Sequence, residues 1–194
     1  LHLGLQRGKG MLREVLRRMS ELRPDAIVST GDLLDSSTRY IADWASELRA
    51  LRAPLGQFAV LGNHEYYAGL RGALAFHEAA GFRLLRQETV RLAPHVVLAG
   101  VDDTAGLRGG QPCHYDDAAA LAAVPDEEFV ILLKHQPRVN PAALGRLDLQ
   151  LSGHTHGGQI FPFQFLIAPF YDYQRGIHRV GGNALLNVSR GIGT

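Results

Sequence analysis

The segments FVILLKHQ at residues 129–136 and LDLQLSGHTH at residues 147–156 share one pattern, in which a short apolar run leads to a histidine. Runs of valine, isoleucine, leucine and phenylalanine bounded by glycine and polar residues are typical of buried strands. Three earlier runs of this kind lead into Gly31-Asp32, Gly62-Asn63-His64-Glu65 and Gly100-Val101-Asp102-Asp103. The sequence therefore predicts five buried strands, at least four of which end in Asp, Asn or His within a glycine-flanked loop.

Helix-like segments alternate with these strands. They are predicted at residues 9–23, 38–52 and 72–80. In the second segment, Ile41, Trp44, Leu48 and Leu51 recur at spacings of three and four residues, which indicates an amphipathic helix lying on a sheet. The alternation predicts an α/β layered fold, formed as one domain over residues 1–194, in which the later strands close a second sheet.

The composition excludes several classes of protein. The 194 residues are 46% hydrophobic and 20% charged, as in a packed globular domain. The formal charge is only +1, so no nucleic acid binding is expected. A single cysteine, Cys113, excludes a disulfide framework and a cysteine-rich zinc site. The apolar stretch at residues 161–170 is too short and too broken by proline to span a bilayer, and we expect a soluble monomer from the chain as given.

Six polar side chains follow the predicted strands. Because ligands bind outside the carboxyl ends of strands in open α/β sheets, we expect these side chains to converge. They are Asp32, Asn63, His64, His135, His154 and His156. An isolated buried histidine is usually a core residue, but packing does not explain six ligand-type residues at strand ends.

The chemistry of these side chains indicates bound metals. Imidazoles combined with carboxylate and amide oxygens, without a thiolate, suit manganese, iron or zinc in a site with more than four ligands. A carboxylate such as Asp32 can bridge two cations about 3.5–4 Å apart, which supports phosphoryl displacement by a metal-activated hydroxide.

Four motifs in chain order carry a resemblance to a known family. They are Gly31-Asp32-Leu33-Leu34-Asp35, Gly62-Asn63-His64-Glu65, His135 after its strand, and Gly153-His154-Thr155-His156. Together they resemble the calcineurin-like metallophosphoesterases over nearly the whole chain. The resemblance implies a layered α/β/β/α sandwich, with two divalent metal ions (manganese, iron or zinc) bound at the carboxyl ends of the strands.

Residues 62–67, 100–103 and 154–160 are similar to one branch of that family, the membrane-associated YaeI- and YkuE-like phosphodiesterases. Animal transmembrane proteins with a metallophosphoesterase domain belong to the same branch. Its relatives include enzymes that split the pyrophosphate of UDP-2,3-diacylglucosamine in lipid A biosynthesis. Members usually carry hydrophobic helices before the catalytic domain. The resemblance thus implies a membrane-associated full-length protein, on an undetermined side of the membrane.

Carried over residue by residue, the resemblance assigns a role to each site residue. For one metal the implied ligands are His2 and His156, for the other Asn63, His135 and His154, with Asp32 bridging both. His64 would protonate or stabilise the leaving oxygen as a general acid. Asp35 matches the position that hydrogen-bonds this histidine and fixes its tautomer, and the alternative is that Asp35 is only a helix N-cap.

The sequence departs from the family pattern at its first motif, Asp-x-His. Here Leu1-His2-Leu3-Gly4 keeps the histidine, and the aspartate would fall one position before Leu1. We therefore expect a fragment trimmed at both ends, which binds one of its two metals weakly and lacks a closing strand at the C-terminus.

Other polar residues have plainer interpretations. We interpret four histidines as structural, namely His77, His95, His114 and His178. Asp102 and Asp103 are either groups that support the site or loop residues of a turn. Lys134 is either a neighbour of the phosphate or a charge at the end of a strand.

The aromatic segment from Phe161 to Tyr171 bears on the substrate. Beside a phosphate site it suits an acyl chain or a membrane surface, and packing into the core or against upstream helices is the equal alternative. The predicted function is a dimetal phosphoesterase acting on phosphodiester or pyrophosphate bonds, and the resemblance extends the expected substrates to lipid-linked ones such as UDP-2,3-diacylglucosamine. The alternatives are a non-catalytic metal-binding scaffold and a membrane-surface interaction domain.

Overall fold

A computed structural model of the protein describes residues 1–4, 9–35, 43–156 and 171–192. The α-helices within these ranges are α1 (Lys9–Leu22), α2 (Trp44–Arg49), α3 (Asn63–Ala68), α4 (Leu70–Ala79), α5 (Ala105–Arg108) and α6 (Asp117–Leu121), and a 3-10 helix covers Pro141–Ala143. The strands are β1 (Ile27–Ser29), β2 (Gln57–Ala59), β3 (Arg83–Leu84), β4 (Glu88–Ala93), β5 (Val96–Gly100), β6 (Phe129–Leu133), β7 (Leu149–Ser152), β8 (Gly176–Gly181) and β9 (Ala184–Val188).

The described strands form two sheets. A three-stranded sheet has the order β1-β2-β3 and is parallel throughout, as expected when helices connect successive strands. A six-stranded sheet has the order β4-β5-β6-β7-β9-β8. Its four inner strands are parallel, and each outer strand pairs antiparallel with its neighbour. The carboxyl ends of the central strands therefore lie along one edge of each sheet.

Three groups of buried apolar side chains define four layers. Leu12, Leu48 and Phe76 from α1, α2 and α4 pack with Ile27 and Ala59 of the three-stranded sheet. The buried cluster between the two sheets contains Phe58, Val60, Leu85, Leu98 and Leu133. On the outer face of the six-stranded sheet, α6 contributes Leu121 to a cluster that contains Val97, Val130 and Leu132. The order is helix, sheet, sheet, helix, and the predicted α/β/β/α fold is confirmed.

Among the residues that the structure describes, the two sheets are not fully packed along β1. This strand forms one edge of the three-stranded sheet, and Val28 within it is 36% exposed. A cavity of about 270 Å³ lies beside it and is also lined by Leu151, Asn187 and His154. The carboxyl end of β1 therefore meets a gap between the sheets.

The predicted elements agree with the structure, with three differences. All five predicted strands are present within two residues of their expected bounds, and so are the first and third helices. The second predicted helix is described only from Trp44, because residues 36–42 lie outside the described ranges. Asn63 and His64 open the short helix α3 instead of lying in a loop, and the sequence did not predict β3, β4, β8 or β9.

The aromatic segment lies outside the described residues up to Phe170, and only Tyr171 falls within them. Across the ranges that the structure describes, no helix has both the length and the apolar character needed to cross a bilayer.

Candidate metal centre

Four strand ends and the N-terminal segment bring the predicted ligands together. Asp32 follows β1, Asn63 follows β2, His135 follows β6 and His154 follows β7. His2 reaches the same place because the N-terminal segment pairs with the loop after β1: its amide donates to the carbonyl of Asp32 over 2.9 Å, and Leu3 bridges to Leu34. Both sheets thus contribute ligands to one site.

One group of donor atoms surrounds His135. Its Nε2 atom lies 3.2 Å from Asp32 Oδ2, 3.1 Å from Asn63 Oδ1 and 3.1 Å from His154 Nδ1. The side chain of His135 is 1% exposed, so these donors converge in the interior. The structure therefore brings together the four residues expected on one metal, including the expected bridge.

A second group lies on the other side of Asp32. His2 Nε2 is 3.0 Å from His156 Nε2 and 3.6 Å from Asp32 Oδ2. The same carboxylate oxygen therefore faces both donor groups. This is the arrangement expected of a ligand shared by two cations.

His64 and Asp35 lie beside the second group. His64 Nδ1 is 3.2 Å from the main-chain oxygen of Asp35, to which it can donate, and 3.3 Å from the carboxylate oxygen Oδ1. The rings of His64 and His2 meet edge to face at 4.6 Å. The structure thus places His64 next to the donor atoms and gives it Asp35 as a partner. Residues 36–42, on which the N-cap alternative for Asp35 depends, are outside the described ranges.

Glu65 is a buried carboxylate for which the sequence predicted no role. It is 0% exposed and accepts three backbone N–H groups, from Asp32 at 2.9 Å, Leu34 at 3.0 Å and Gly62 at 2.8 Å. These amides belong to the loops that follow β1 and β2. Glu65 therefore fixes the position of Asp32 relative to α3.

Contacts around His135 determine which ring nitrogen faces the other donors. Its Nδ1 atom donates to the carbonyl oxygen of Thr30 over 2.7 Å, so Nε2 is the nitrogen left for a metal. Gly31 adopts φ +92° beside this ring, and a Cβ there would lie 2.7 Å from His135 Nδ1 and 2.6 Å from the amide of Gly62. Only glycine fits between the two loops at this point.

Several ligand candidates hold an unusual backbone conformation. His2, Asp32, His154 and His156 have φ values of 52°, 52°, 71° and 49°. Left-handed φ values are unfavourable for residues other than glycine and are tolerated where the surrounding structure enforces them, most often at functional sites. Half of the eight predicted site residues share this feature, which no sequence pattern indicated.

Burial sets the protonation of three imidazoles. It lowers the pKa of His154 to about 3 and that of His2 to about 4, and it lowers the pKa of His156 as well. Burial would also lower the pKa of His135, but the Asp32 carboxylate opposes it and raises that pKa to about 9. Although burial disfavours the charged carboxylate, His135 and the amide of His64 hold the pKa of Asp32 below its usual range. At neutral pH three imidazoles are therefore in the neutral form that binds metals.

The remaining polar candidates lie outside the donor groups. Lys134 forms an ion pair with Asp117 on α6, 2.6 Å between Nζ and Oδ2, which favours a structural charge over a phosphate neighbour. Asp102 pairs with Arg86, and Asp103 accepts a hydrogen bond from Gln136. His77 is buried in α4 and donates from Nδ1 to the carbonyl of Ala73. Among the described residues, His95, His114 and His178 belong to none of the groups that could hold a metal.

The donor set fits two divalent cations. Ligand atoms of His2, Asp32 and His156 lie within 4.8 Å of one another, and so do those of Asp32, His135 and His154. Nitrogen and oxygen donors without sulfur match manganese, iron or zinc. Since Asp32 belongs to both groups, the site fits two neighbouring ions that share a ligand.

A family profile described as calcineurin-like phosphoesterase matches residues 1–158. The chain belongs to this family. The resemblance drawn from the four motifs is confirmed, and metal-dependent phosphoester hydrolysis is the chemistry of calcineurin-like phosphoesterases.

Individual relatives agree with this membership. Over 195 residues the chain is 42% identical to an uncharacterized metallophosphoesterase of Aquifex aeolicus, covering 100% of this chain and 75% of the relative. It is 37% identical over 199 residues to the uncharacterized metallophosphoesterase YkuE of Bacillus subtilis, covering 94% of this chain and 65% of the relative. A transmembrane protein with metallophosphoesterase domain from Danio rerio is 33% identical over 207 residues. The match covers 100% of this chain and 47% of that protein.

Solved structures agree on the fold. The crystal structure of TT1561 of Thermus thermophilus superimposes with a TM-score of 0.58 at 15% identity, covering 92% of this chain and 82% of that one. At this identity the likeness concerns the fold alone. Sequence similarity thus assigns the chain to the calcineurin-like phosphoesterases, and a distantly related structure shares its fold.

Proposed function

We propose that residues 1–194 form a single dimetal phosphoesterase domain that hydrolyses phosphodiester or pyrophosphate bonds. The observation that carries the proposal is the position of one oxygen. Asp32 Oδ2 lies 3.6 Å from His2 Nε2 and 3.2 Å from His135 Nε2, and so faces both donor groups. A shared carboxylate between two nitrogen-rich groups supports a pair of metal ions.

Each ligand has a proposed role. His2, Asp32 and His156 would hold one cation, and Asp32, Asn63, His135 and His154 the other. When bound, two such cations polarise the phosphoryl group and supply a hydroxide nucleophile near neutral pH. Thr30 holds the tautomer of His135 and Glu65 holds the loop of Asp32, so both donor groups are ordered by the protein itself.

His64 is the proposed general acid. Its Nδ1–H group can donate to the main-chain oxygen of Asp35, with the Asp35 carboxylate 3.3 Å from the same nitrogen, and this leaves Nε2 as the atom that carries the transferable proton. The protonated ring is the form that can deliver a proton to a leaving oxygen. Asp35 is then a positioning residue for His64.

Membrane association and the substrate class form a second part of the proposal. The names of the Danio rerio and Bos taurus relatives describe transmembrane proteins, and this chain spans about half of each. We propose that the whole protein is membrane-associated and that its substrates include lipid-linked pyrophosphates such as UDP-2,3-diacylglucosamine. Manganese is the cation we propose to test first.

The test is hydrolysis of bis(4-nitrophenyl) phosphate with manganese, together with a chelator control. His64→Ala should lower turnover by about 10²–10⁴-fold, the usual contribution of an acid–base group, while the manganese content of the protein stays the same. His178→Ala is the matched control, because His178 lies on the edge strand β8 and contacts the carbonyl of Arg175. If a fully metallated protein leaves diesters, monoesters and pyrophosphates intact, the domain is a metal-binding scaffold.

A further inference from the structure

Three side chains form a connected wall beside the donor group of His135. Gln136 follows His135 directly, and its Oε1 atom accepts hydrogen bonds from the Tyr171 hydroxyl at 2.9 Å and from Arg138 Nε at 3.2 Å. The Arg138 guanidinium lies over the Tyr171 ring, 5.1 Å from its centroid. We name Gln136, Arg138 and Tyr171 the Tyr171 wall.

The Tyr171 wall touches the metal ligands. The Tyr171 ring packs edge to face against His154, with 5.3 Å between the centroids. Arg138 and His135 also line one small pocket of about 90 Å³. The guanidinium and the proposed ligand His154 therefore contact the same aromatic ring.

Arg138 brings a positive charge to this pocket, which two carboxylates also line; one of them, Asp102, is paired with Arg86. Among the described residues, no carboxylate lies within ion-pair distance of Arg138, which is exposed to solvent. The other basic residue that lines the pocket, Lys134, is paired with Asp117. The Asp103 carboxylate, which also lines it, accepts from Gln136 Nε2 at 2.8 Å and from the amide of Ala105 at 2.8 Å. Arg138 is thus the group in the pocket best placed to receive an anion.

The Tyr171 wall also holds Arg138 in place. Stacking on an aromatic face and a hydrogen bond to a fixed carboxamide reduce the freedom that an arginine would lose on binding. A planar guanidinium can then donate two parallel hydrogen bonds to phosphate or carboxylate oxygens. Gln136 is itself fixed by Asp103, so the whole arrangement exists before a ligand arrives.

We propose that Arg138, oriented by Tyr171 and Gln136, is a binding site for a second anionic group next to the phosphoryl group held at the donor atoms. The substrate class is a phosphoryl compound with a further negative charge on the neighbouring unit, such as a second phosphoryl group. The inference rests on the proposed function for where the first phosphoryl group sits, and it adds the residue that recognises the second.

The test compares AMP with ADP, which differs by one phosphoryl group. ADP is used as its α,β-methylene analogue, so that the proposed hydrolysis of pyrophosphate bonds does not consume it. Their dissociation constants are measured by calorimetry on the manganese-loaded protein at equal free manganese. The protein should bind ADP more tightly than AMP. Arg138→Gln should weaken ADP binding about tenfold, the order expected when one charge-assisted hydrogen bond is lost, and should change AMP binding less than twofold. Arg138→Lys keeps the charge without the planar fork and should recover only part of the ADP affinity.

Arg179→Gln is the matched control. Arg179 is an exposed arginine on the edge strand β8 and lies beside Leu185, near the amino end of β9 and away from the strand ends that carry the site. It should leave both dissociation constants unchanged, and the melting temperature of each variant shows that the fold is retained.

Equal losses for AMP and ADP in Arg138→Gln, or no preference of the unaltered protein for ADP, would overturn the inference. The proposed function has a separate readout, the hydrolysis of bis(4-nitrophenyl) phosphate. A metallated protein that leaves diesters, monoesters and pyrophosphates intact but shows an Arg138-dependent preference for ADP would refute the proposed function and keep the second anion site.

Discussion

At the scale of single residues, Glu65 joins two loops that carry site residues. Its carboxylate accepts hydrogen bonds from three buried backbone amides, which would otherwise lack these acceptors. An ionised acceptor suits several converging N–H groups, because each bond is charge-assisted. The position of Asp32, and with it the spacing of the two donor groups, depends on this side chain.

Glu65→Gln tests this role. Glutamine has nearly the same shape, but the NH2 group that replaces one carboxylate oxygen donates and cannot accept a hydrogen bond, so at least one buried backbone amide loses its partner. We expect a loss of about 2 kcal/mol in the free energy of unfolding, or about 4–8 °C in melting temperature for a chain of this size. Calorimetry of the variant measures both.

Glu47→Gln is the control for that substitution. Glu47 forms a surface ion pair with Arg13, with 3.4 Å between Oε2 and Nε, and such pairs contribute less than about 1 kcal/mol. If the two variants lose the same stability, Glu65 does not have the structural role assigned to it.

Residue identities were the most predictable part of the site. Asp32, Asn63, His135 and His154 follow apolar runs, and parallel strands bring such positions to one edge. Glu65 was not assigned, because its partners are main-chain amides and a side-chain pattern does not show which amides are left unpaired. The Tyr171 wall was not found for a related reason, since Tyr171 meets His154 only in the folded chain.

At the scale of elements, an ion pair connects β6 to α6. Lys134, at the end of β6, contacts Asp117, whose side chain is 1% exposed. Burial raises the pKa of Asp117, and Lys134 opposes that shift. Removing the lysine alone would leave a buried carboxyl group without its cation.

Lys134→Met should therefore lower the free energy of unfolding by about 3–5 kcal/mol, as for other buried pairs that lose one partner. Adding Asp117→Asn removes the uncompensated charge and should recover part of the loss. Urea denaturation of the two single variants and the double variant measures the coupling. Strictly additive effects would show that the pair contributes nothing beyond its separate side chains.

The elements that the sequence missed are short or lack an apolar pattern. The hairpin of β8 and β9 turns at Gly182-Asn183, with Gly181 paired to Ala184. Glycine and asparagine between two strand-like runs were a usable signal for such a turn. By contrast, α3 has six residues and begins at Asn63, too short for a helical period to show.

At the scale of the whole molecule, the site joins the two sheets. Asp32 and Asn63 extend from the three-stranded sheet, and His135 and His154 from the six-stranded one, next to the cavity along β1. Bound cations would connect the sheets where apolar packing is incomplete. Metal binding should therefore contribute to stability as well as to chemistry.

Removal of metal tests this connection. With manganese at a hundredfold excess over its dissociation constant, the expected gain is about 2.7 kcal/mol, or about 5–10 °C in melting temperature for a chain of this size. A chelator should reverse the shift, as followed by scanning calorimetry. The shift should shrink in a variant with both His135→Ala and His154→Ala, which keeps the group of His2, Asp32 and His156, and should persist in full in His178→Ala. An identical melting temperature with and without manganese would contradict the prediction.

The left-handed backbone at His2, Asp32, His154 and His156 has a consequence for evolution in the laboratory. Each such residue costs the folded chain of order 1–3 kcal/mol. Glycine at any of these positions would relieve the cost and delete a ligand at once. A library of variants selected only for heat tolerance would thus drift toward loss of the site, whereas selection for turnover would retain it.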